Sequence, residues 1–343
     1  MNRQHALWVV GAALVAAVVG FAAGRYTCPL ATPKVSPPEA SRPHATESTH
    51  LEMNVVVANV PFWTESRLTW EKLAATSNST TATFGGPHNS DANAQGAELR
   101  SILARGCNGL VVAPADAASV APILRDYESA DVPVITYLID SPEVHKLTYI
   151  TSELEQAGER IGRYAVGAVS RKGAVLISYA QAGNPEQEAR AKGIRDAVQQ
   201  TQGFTVLDPI EDKYDEQHGG EQIRALLVQN PNIVAIVGCN SRSAIGAVQA
   251  LKALNRKAGD VVVTGWDYDN DLLDLIDQGW VAASVAQNTE FMTFLAFELL
   301  EGYHEGLVRA KRGITPGAIV PPAQITVPVE VITKETAAAF RRH

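Results

Sequence analysis

The sequence predicts an α/β fold made of two similar lobes, each built around a parallel sheet. Three observations carry that expectation. Ten short runs are rich in Val, Ile and Thr and are apolar on both faces, as buried parallel strands are. The segments between them place apolar residues at helical spacing. Two strand-and-turn stretches before residue 150 are echoed by two after residue 230.

Length and charge set the outer limits. A chain of 343 residues is too long for one typical domain and suits two. It is 46% hydrophobic and 19% charged, so it can bury a large core and is not globally disordered. The net charge of −8 has the wrong sign for a polyanion, which excludes nucleic acid as a partner. Three cysteines are too few for a disulfide scaffold.

The front of the chain reads as a membrane signal. Ala6 to Ala23 form an uncharged, largely apolar run of 18 residues between Arg3 and Arg25. A spanning helix needs ~20 such residues and a cleaved signal core ~7–15. The run fits a span slightly better, while the small residues around Ala22–Gly24 keep cleavage open. Cys28 follows Arg25, Tyr26 and Thr27, a poor context for lipidation. Residues 29–50 hold five prolines among Ser, Thr and Ala, and read as an extended spacer. Residues 1–28 are thus expected as a signal or anchor and 29–50 as a linker, with the remainder exported.

From Leu51 onward the strands are expected in order. MNVVVANV (53–60) comes first, then runs at 80–84, 109–114, 132–139, 146–151, 173–180, 204–208, 232–238, 260–267 and 281–287. Ala92 to Arg105 sets Leu99, Ile102 and Leu103 on one helical face. Ser243 to Asn255 does the same with Ala244, Val248 and Leu251, and Phe291, Phe294 and Leu295 open another stripe. KETAAAFRRH at the end is either a short helix or a frayed tail. GLVVAPADAASV pairs with AIVGCNSRSAIGAV, and VPVITYLID with VVVTGWDYD, which suggests two facing lobes. In open α/β sheets, ligands sit beyond the carboxyl ends of the strands.

Motifs for dinucleotides, nucleotide phosphates, serine hydrolysis and zinc proteolysis are missing from the sequence. Asp267, Asp269 and Asp271 start like a calcium loop, but Leu272 and Gln278 stand where that loop needs Gly and Glu. Cys107 and Cys239 are expected as free buried thiols. What remains is a set of polar and aromatic side chains, Phe62 and Trp63, Asp140, Asn240, Asp267 and Gln287 at strand ends and Arg190 in the helix after the run at 173–180. Taken singly, each is equally a cap, a surface ion pair or a core residue. Together they suit a neutral polyol: carboxylates accept from hydroxyls, Arg donates in a fork, amides do both, and flat rings cover apolar sugar faces. No activated nucleophile accompanies them, so no enzyme and no cofactor is expected.

These residues carry a resemblance. From about Asn54 to Thr333 the chain resembles the periplasmic sugar-binding proteins of the ribose-binding type, the capturing component of ABC importers. The motifs are VPFW (60–63), VVAPAD (111–116), VPVITYLID (132–140), YITSELEQAGERIG (149–162), ARAKGI (189–194), GCNSRSAIGAVQAL (238–251), VVVTGWD (261–267) and AASVAQ (282–287). The resemblance implies two Rossmann-like lobes joined by a three-segment hinge, with 51–152 and 288–325 in the first and 153–287 and 326–343 in the second. It implies Phe62 and Trp63 as stacking rings, with Tyr214 a further aromatic. Arg190, Asn240, Asp267, Gln287 and Asp140 become the hydrogen-bonding set. Implied partners are a small sugar and an ABC permease, with a membrane sensor as the alternative, and the protein itself is expected as a monomer. Val60, Ala113 and Leu138 depart from the ribose pattern, and no Arg directly follows Asp140, which points to a deoxy, methylated or otherwise less polar sugar than ribose, to a small furanosyl signal molecule, or to a first lobe that meets a receptor.

Overall fold

The computed structural model describes residues 48–310 and 317–341. The run Ala6–Ala23, Cys28 and nearly all of the spacer lie outside them. Among the described residues, no helix is long and apolar enough to cross a membrane.

Two parallel sheets form the frame. The first contains β1 (Thr49–Asn54), β2 (Thr80–Gly85), β3 (Gly109–Val112), β4 (Val134–Tyr137), β5 (Thr148–Ser152) and β12 (Gln324–Val327). Its order is β12-β5-β4-β3-β1-β2. The second contains β6 (Gly173–Tyr179), β7 (Phe204–Val206), β8 (Ile210–Glu211), β9 (Ile233–Gly238) and β10 (Val262–Thr264). Its order is β10-β9-β6-β7, with β8 also on β6.

Both sheets are covered on both faces, which is why their strands read as continuous apolar runs. In β3, Val111 faces the helices α1 (Thr64–Thr76) and α9 (Thr289–His304), packing in a cluster with Trp70, Met292 and Phe297. Leu110 and Val112 face the opposite way, toward α2 (Ala92–Arg105) and α3 (Ala117–Ser129), with Leu99, Leu124 and Tyr127. In β6, Val175 and Ile177 meet α4 (Leu154–Ala168) and α5 (Pro185–Gln199) through Ile161 and Ile194. Leu176 turns toward α6 (Glu216–Gln229), α7 (Ser241–Ala253) and α8 (Asn270–Asp277). Each fully buried Val, Leu or Ile contributes ~1.5–3 kcal/mol, so the four clusters dominate stability.

The chain crosses between lobes three times: from β5 into α4, from β11 (Ser284–Gln287) into α9, and from β12 into β13 (Val329–Ile332). β11 and β13 pair antiparallel. The Glu153 carboxylate ties two crossings together, accepting from the Val329 N–H at 3.1 Å and from Arg160. The internal echo is real in space. Asp116 caps α3 after β3, and Asn240 caps α7 after β9, each accepting from a backbone N–H three residues on.

Some boundaries differ from the sequence reading. The first strand ends at Asn54, and Val55 to Val60 form the loop that leads into the 3-10 turn Pro61–Trp63. Apolar character persists there because Val55 is buried under the sheet end rather than in it. The last expected strand begins at Ser284 rather than Val281. The C-terminal tail makes a short 3-10 helix at Ala337–Phe340, held by Phe340 edge-on to Tyr268 with centroids 5.7 Å apart.

Candidate functional site

The strand ends of the second lobe build one connected network. Arg190, on α5, is 5% exposed. Its Nη1 donates to the Cys239 carbonyl at 2.8 Å and its Nη2 to Gln287 Oε1 at 2.9 Å. The guanidinium lies 4.5 Å from the Trp266 ring centroid, and Trp266 Nε1 donates to the same Gln287 oxygen at 3.1 Å. Fork and ring together fix the Arg190 plane, which a lysine at that position would not do. Glycines set the position of its helix. A Cβ on Gly158 would lie 2.3 Å from the Arg190 carbonyl oxygen, and one on Gly193 would lie 1.9 Å from that of Glu155. Only hydrogen at these two sites lets α4 and α5 pack so closely.

Two carboxylates flank the guanidinium. Glu186, one turn earlier on α5, approaches it at 3.6 Å. Burial pushes the Glu186 carboxyl above its usual range, against the pull of Arg190. Asp267 follows β10 in a left-handed conformation at φ +72°. Its backbone is clamped by its N–H to the Val285 carbonyl and by Ser284 Oγ donating to its own carbonyl. Burial raises its carboxyl from 3.8 to about 6, while Arg190 and the Ser241 backbone amide pull the other way and Asp269 adds to the rise.

Asp212 organises the rest. This fully buried carboxylate accepts from Ser178 Oγ at 2.8 Å, from Ser243 Oγ, from both Asn240 Nδ2 contacts at 3.2 Å, and from the Tyr214 N–H at 2.9 Å. Lys213 and Tyr214 are both left-handed at φ +57°, a conformation that costs about 1–2 kcal/mol per residue. The Asp212 bond helps hold the turn, which leaves Tyr214 56% exposed. Asn240 serves as a cap with its oxygen and as a donor to Asp212 with its nitrogen.

The first-lobe candidates form two separate pairs. Trp63 is 4% exposed and packs edge-on to Phe62 at 4.9 Å and beside Tyr137 at 6.1 Å. Its ring is part of the core, and Phe62 is the more accessible of the two. Asp140 accepts from Thr136 Oγ1 at 2.8 Å and pairs with Lys146 Nζ at 3.0 Å. Lys146 therefore supplies the cation that Ser141, directly after Asp140, does not. Ala113 and Leu138 are buried, Leu138 at φ +60°, and neither offers a polar side chain.

Sequence reasoning missed Glu186, Asp212, Trp266 and Lys146. Glu186 had a signal, its i, i+4 spacing to Arg190. Trp266 directly precedes Asp267. Asp212 follows a two-residue strand that no periodicity marks. Cys107 and Cys239 are free and buried, and burial pushes both thiols up to about 12, so neither is a nucleophile at neutral pH. The Asp269 and Asp271 carboxylates are taken by Arg242 at 3.2 and 3.1 Å. Among the described residues no metal-holding cluster is present.

This arrangement of two parallel-sheet lobes, with polar groups at the strand ends, is matched by known proteins. A family model described as "Periplasmic binding protein domain" covers residues 53–306. The chain belongs to the periplasmic binding protein family. It is 26% identical over 220 residues to a D-apiose import binding protein of Paraburkholderia graminis, covering 63% of this chain and 69% of that one. It is 26% identical over 191 residues to the ribose import binding protein of Escherichia coli, covering 56% of this chain and 64% of that one. A solved sugar-binding protein of a sugar ABC transporter from Bacillus halodurans superposes with a TM-score of 0.78 at 19% identity, over 85% of this chain and all of the other. The Arg190 network sits by the carboxyl ends of the second sheet's strands, the end of an open α/β sheet at which ligands bind in general.

Proposed function

We propose that the chain captures a small sugar or related polyol outside the cytoplasmic membrane and hands it to an ABC importer permease. One observation carries the reading. Among the described residues, Glu186 Oε1, Arg190 Nε and Gln287 Nε2 are buried side-chain atoms without a hydrogen-bond partner. They comprise one acceptor and two donors in a single contiguous network, the complement of a molecule bearing several hydroxyls. An unmet buried polar group costs ~1–3 kcal/mol. Meeting all three is then worth ~3–9 kcal/mol, of the same order as the ~8 kcal/mol of a micromolar complex.

The candidate site residues take roles on this reading. Arg190, Gln287, Asp267 and Asn240 bind from the second lobe, joined by Glu186. Tyr214 and Phe62 offer rings, Trp63 supports Phe62, and Asp140 contributes as an ion pair with Lys146. The first lobe adds few free hydrogen-bonding groups, which favours a sugar with one deoxy, methylated or otherwise less polar edge. The lobes close by turning about the three crossings, because ligand contacts both only when they meet. Residues 51–152 and 288–325 would move as one body against 153–287 and 326–343. The apolar N-terminal run supplies the export signal or the tether.

Isothermal titration with a panel of pentoses, hexoses, deoxyhexoses and inositols tests this. At least one is expected to bind with micromolar or tighter affinity and to lose that affinity in Arg190→Ala. A panel without a binder, or a binder indifferent to Arg190→Ala, would overturn it.

A further inference from the structure

The Arg190 network holds more negative charge than its own cation balances. Glu186, Asp267 and the fully buried Asp212 share a single guanidinium. Asp212 meets neutral donors: the hydroxyls of Ser178 and Ser243, the Asn240 amide and the Tyr214 N–H. Among the described residues, Arg190 with Glu186 is the one ion pair these four groups make. Even that pair is loose. The Arg190 fork is committed to the Cys239 carbonyl and Gln287, so Glu186 Oε2 stands 3.6 Å from Nη2, beyond hydrogen-bond reach. Glu186 Oε1 is buried with no partner. Burial raises the Asp267 carboxyl, and the charges of Asp269 and Glu186 add to the rise, so Asp267 and Glu186 act on one another.

The unmet donors lie deeper. Arg190 is 5% exposed and Gln287 2%, and neither Arg190 Nε nor Gln287 Nε2 has an acceptor. The network thus lacks one positively charged donor and two neutral acceptors. A hydroxyl gives one proton to one carboxylate and leaves the surplus charge in place. An ammonium brings three N–H donors and a full positive charge, and its bonds to carboxylates are about twice as strong as neutral ones. The two unmet donors call for oxygens on the same molecule, so the cation has to carry hydroxyl groups. We propose that the ligand of this site is an amino-deoxy sugar: a polyol with one protonated amine set against Glu186 and Asp267, and neighbouring oxygens for Arg190 Nε and Gln287 Nε2. The proposal rests on the sugar-capture reading above and narrows it. It makes Glu186, one turn before Arg190 on α5, the residue that selects the amine over a hydroxyl.

Isothermal titration of the full-length protein at pH 7.0 tests it, with the monoamino-deoxy derivatives of D-glucose, D-galactose and D-ribose as probes. Each amine is run beside its parent sugar and its N-acetyl form, which keeps the nitrogen and removes the charge. At least one amine is expected to bind about 10–100-fold tighter than its parent, and its N-acetyl form to lose that gain. Glu186→Gln keeps the side chain's shape and removes its charge, so the gain over the parent sugar should be lost in that variant, with the fold checked by circular dichroism. Where the variant does not fold, the comparison of amine with N-acetyl form in the native protein decides. Parent sugars that bind as tightly as every amine, or a gain that survives in folded Glu186→Gln, would overturn the proposal and leave sugar capture standing. Silence from parents and amines alike would overturn both.

Discussion

Asp267→Asn separates what the fold needs from what a ligand needs. Lifting this carboxyl from 3.8 to about 6 means that the unliganded fold disfavours its ionised form. At 1.36 kcal/mol per pH unit, that amounts to ~3 kcal/mol at neutral pH. Asparagine keeps the shape, removes the charge and tolerates the left-handed backbone at φ +72°. The unliganded variant should therefore melt higher than the native protein at pH 7.5. For a chain of this size, ~3 kcal/mol corresponds to roughly 6–12 °C, an upper figure because Arg190 loses a partner. The sign with pH follows from the raised value. The cost to the native protein is full above pH 6 and vanishes as pH falls to 3.8, so the two melting curves should converge on acidification. Sugar affinity should move the other way, falling about tenfold with loss of a charged acceptor. Differential scanning calorimetry from pH 4 to 8 with titration of the bound sugar reads both. An unliganded Asp267→Asn protein that melts lower than native at pH 7.5 would refute the reasoning.

Three further outcomes follow from the same geometry. Arg190→Lys, which cannot reach both the Cys239 carbonyl and Gln287, should cut sugar affinity about 10–100-fold in titration, with the fold intact by circular dichroism. Asp212→Ala strands Ser178, Ser243 and the Asn240 amide, and should lower stability by about 2–4 kcal/mol in urea melts, with a weakened sugar affinity. Gly193→Ala forces α4 and α5 apart and should cost about 1–3 kcal/mol, and because Arg190 moves with α5 the same variant should bind sugar less tightly.

The frame was legible because both sheets are buried on both faces, so each strand announces itself as an apolar run between polar turns. The paired turns at Asp116 and Asn240 were legible too, since caps repeat where lobes repeat. The first strand was displaced because three of its first four residues, Thr49, His50 and Glu52, are polar. Glu52 is buried there beside Arg105 and His50, a pairing that hydropathy cannot show. Within the site, Gln287 could be named from a strand end and Arg190 from the helix that follows β6, and they meet. Asp212 could not, because a buried carboxylate served by four partners looks in sequence like any loop aspartate. Trp63 looked like a stacking ring, but burial against Tyr137 depends on packing between elements distant in the chain.

The most direct measurement is a crystal structure with the tightest-binding sugar of the panel. The account predicts the sugar between the lobes, its hydroxyls within hydrogen-bond reach of Glu186 Oε1, Arg190 Nε and Gln287 Nε2. A sugar seated elsewhere, with those three atoms still unmet, would contradict it.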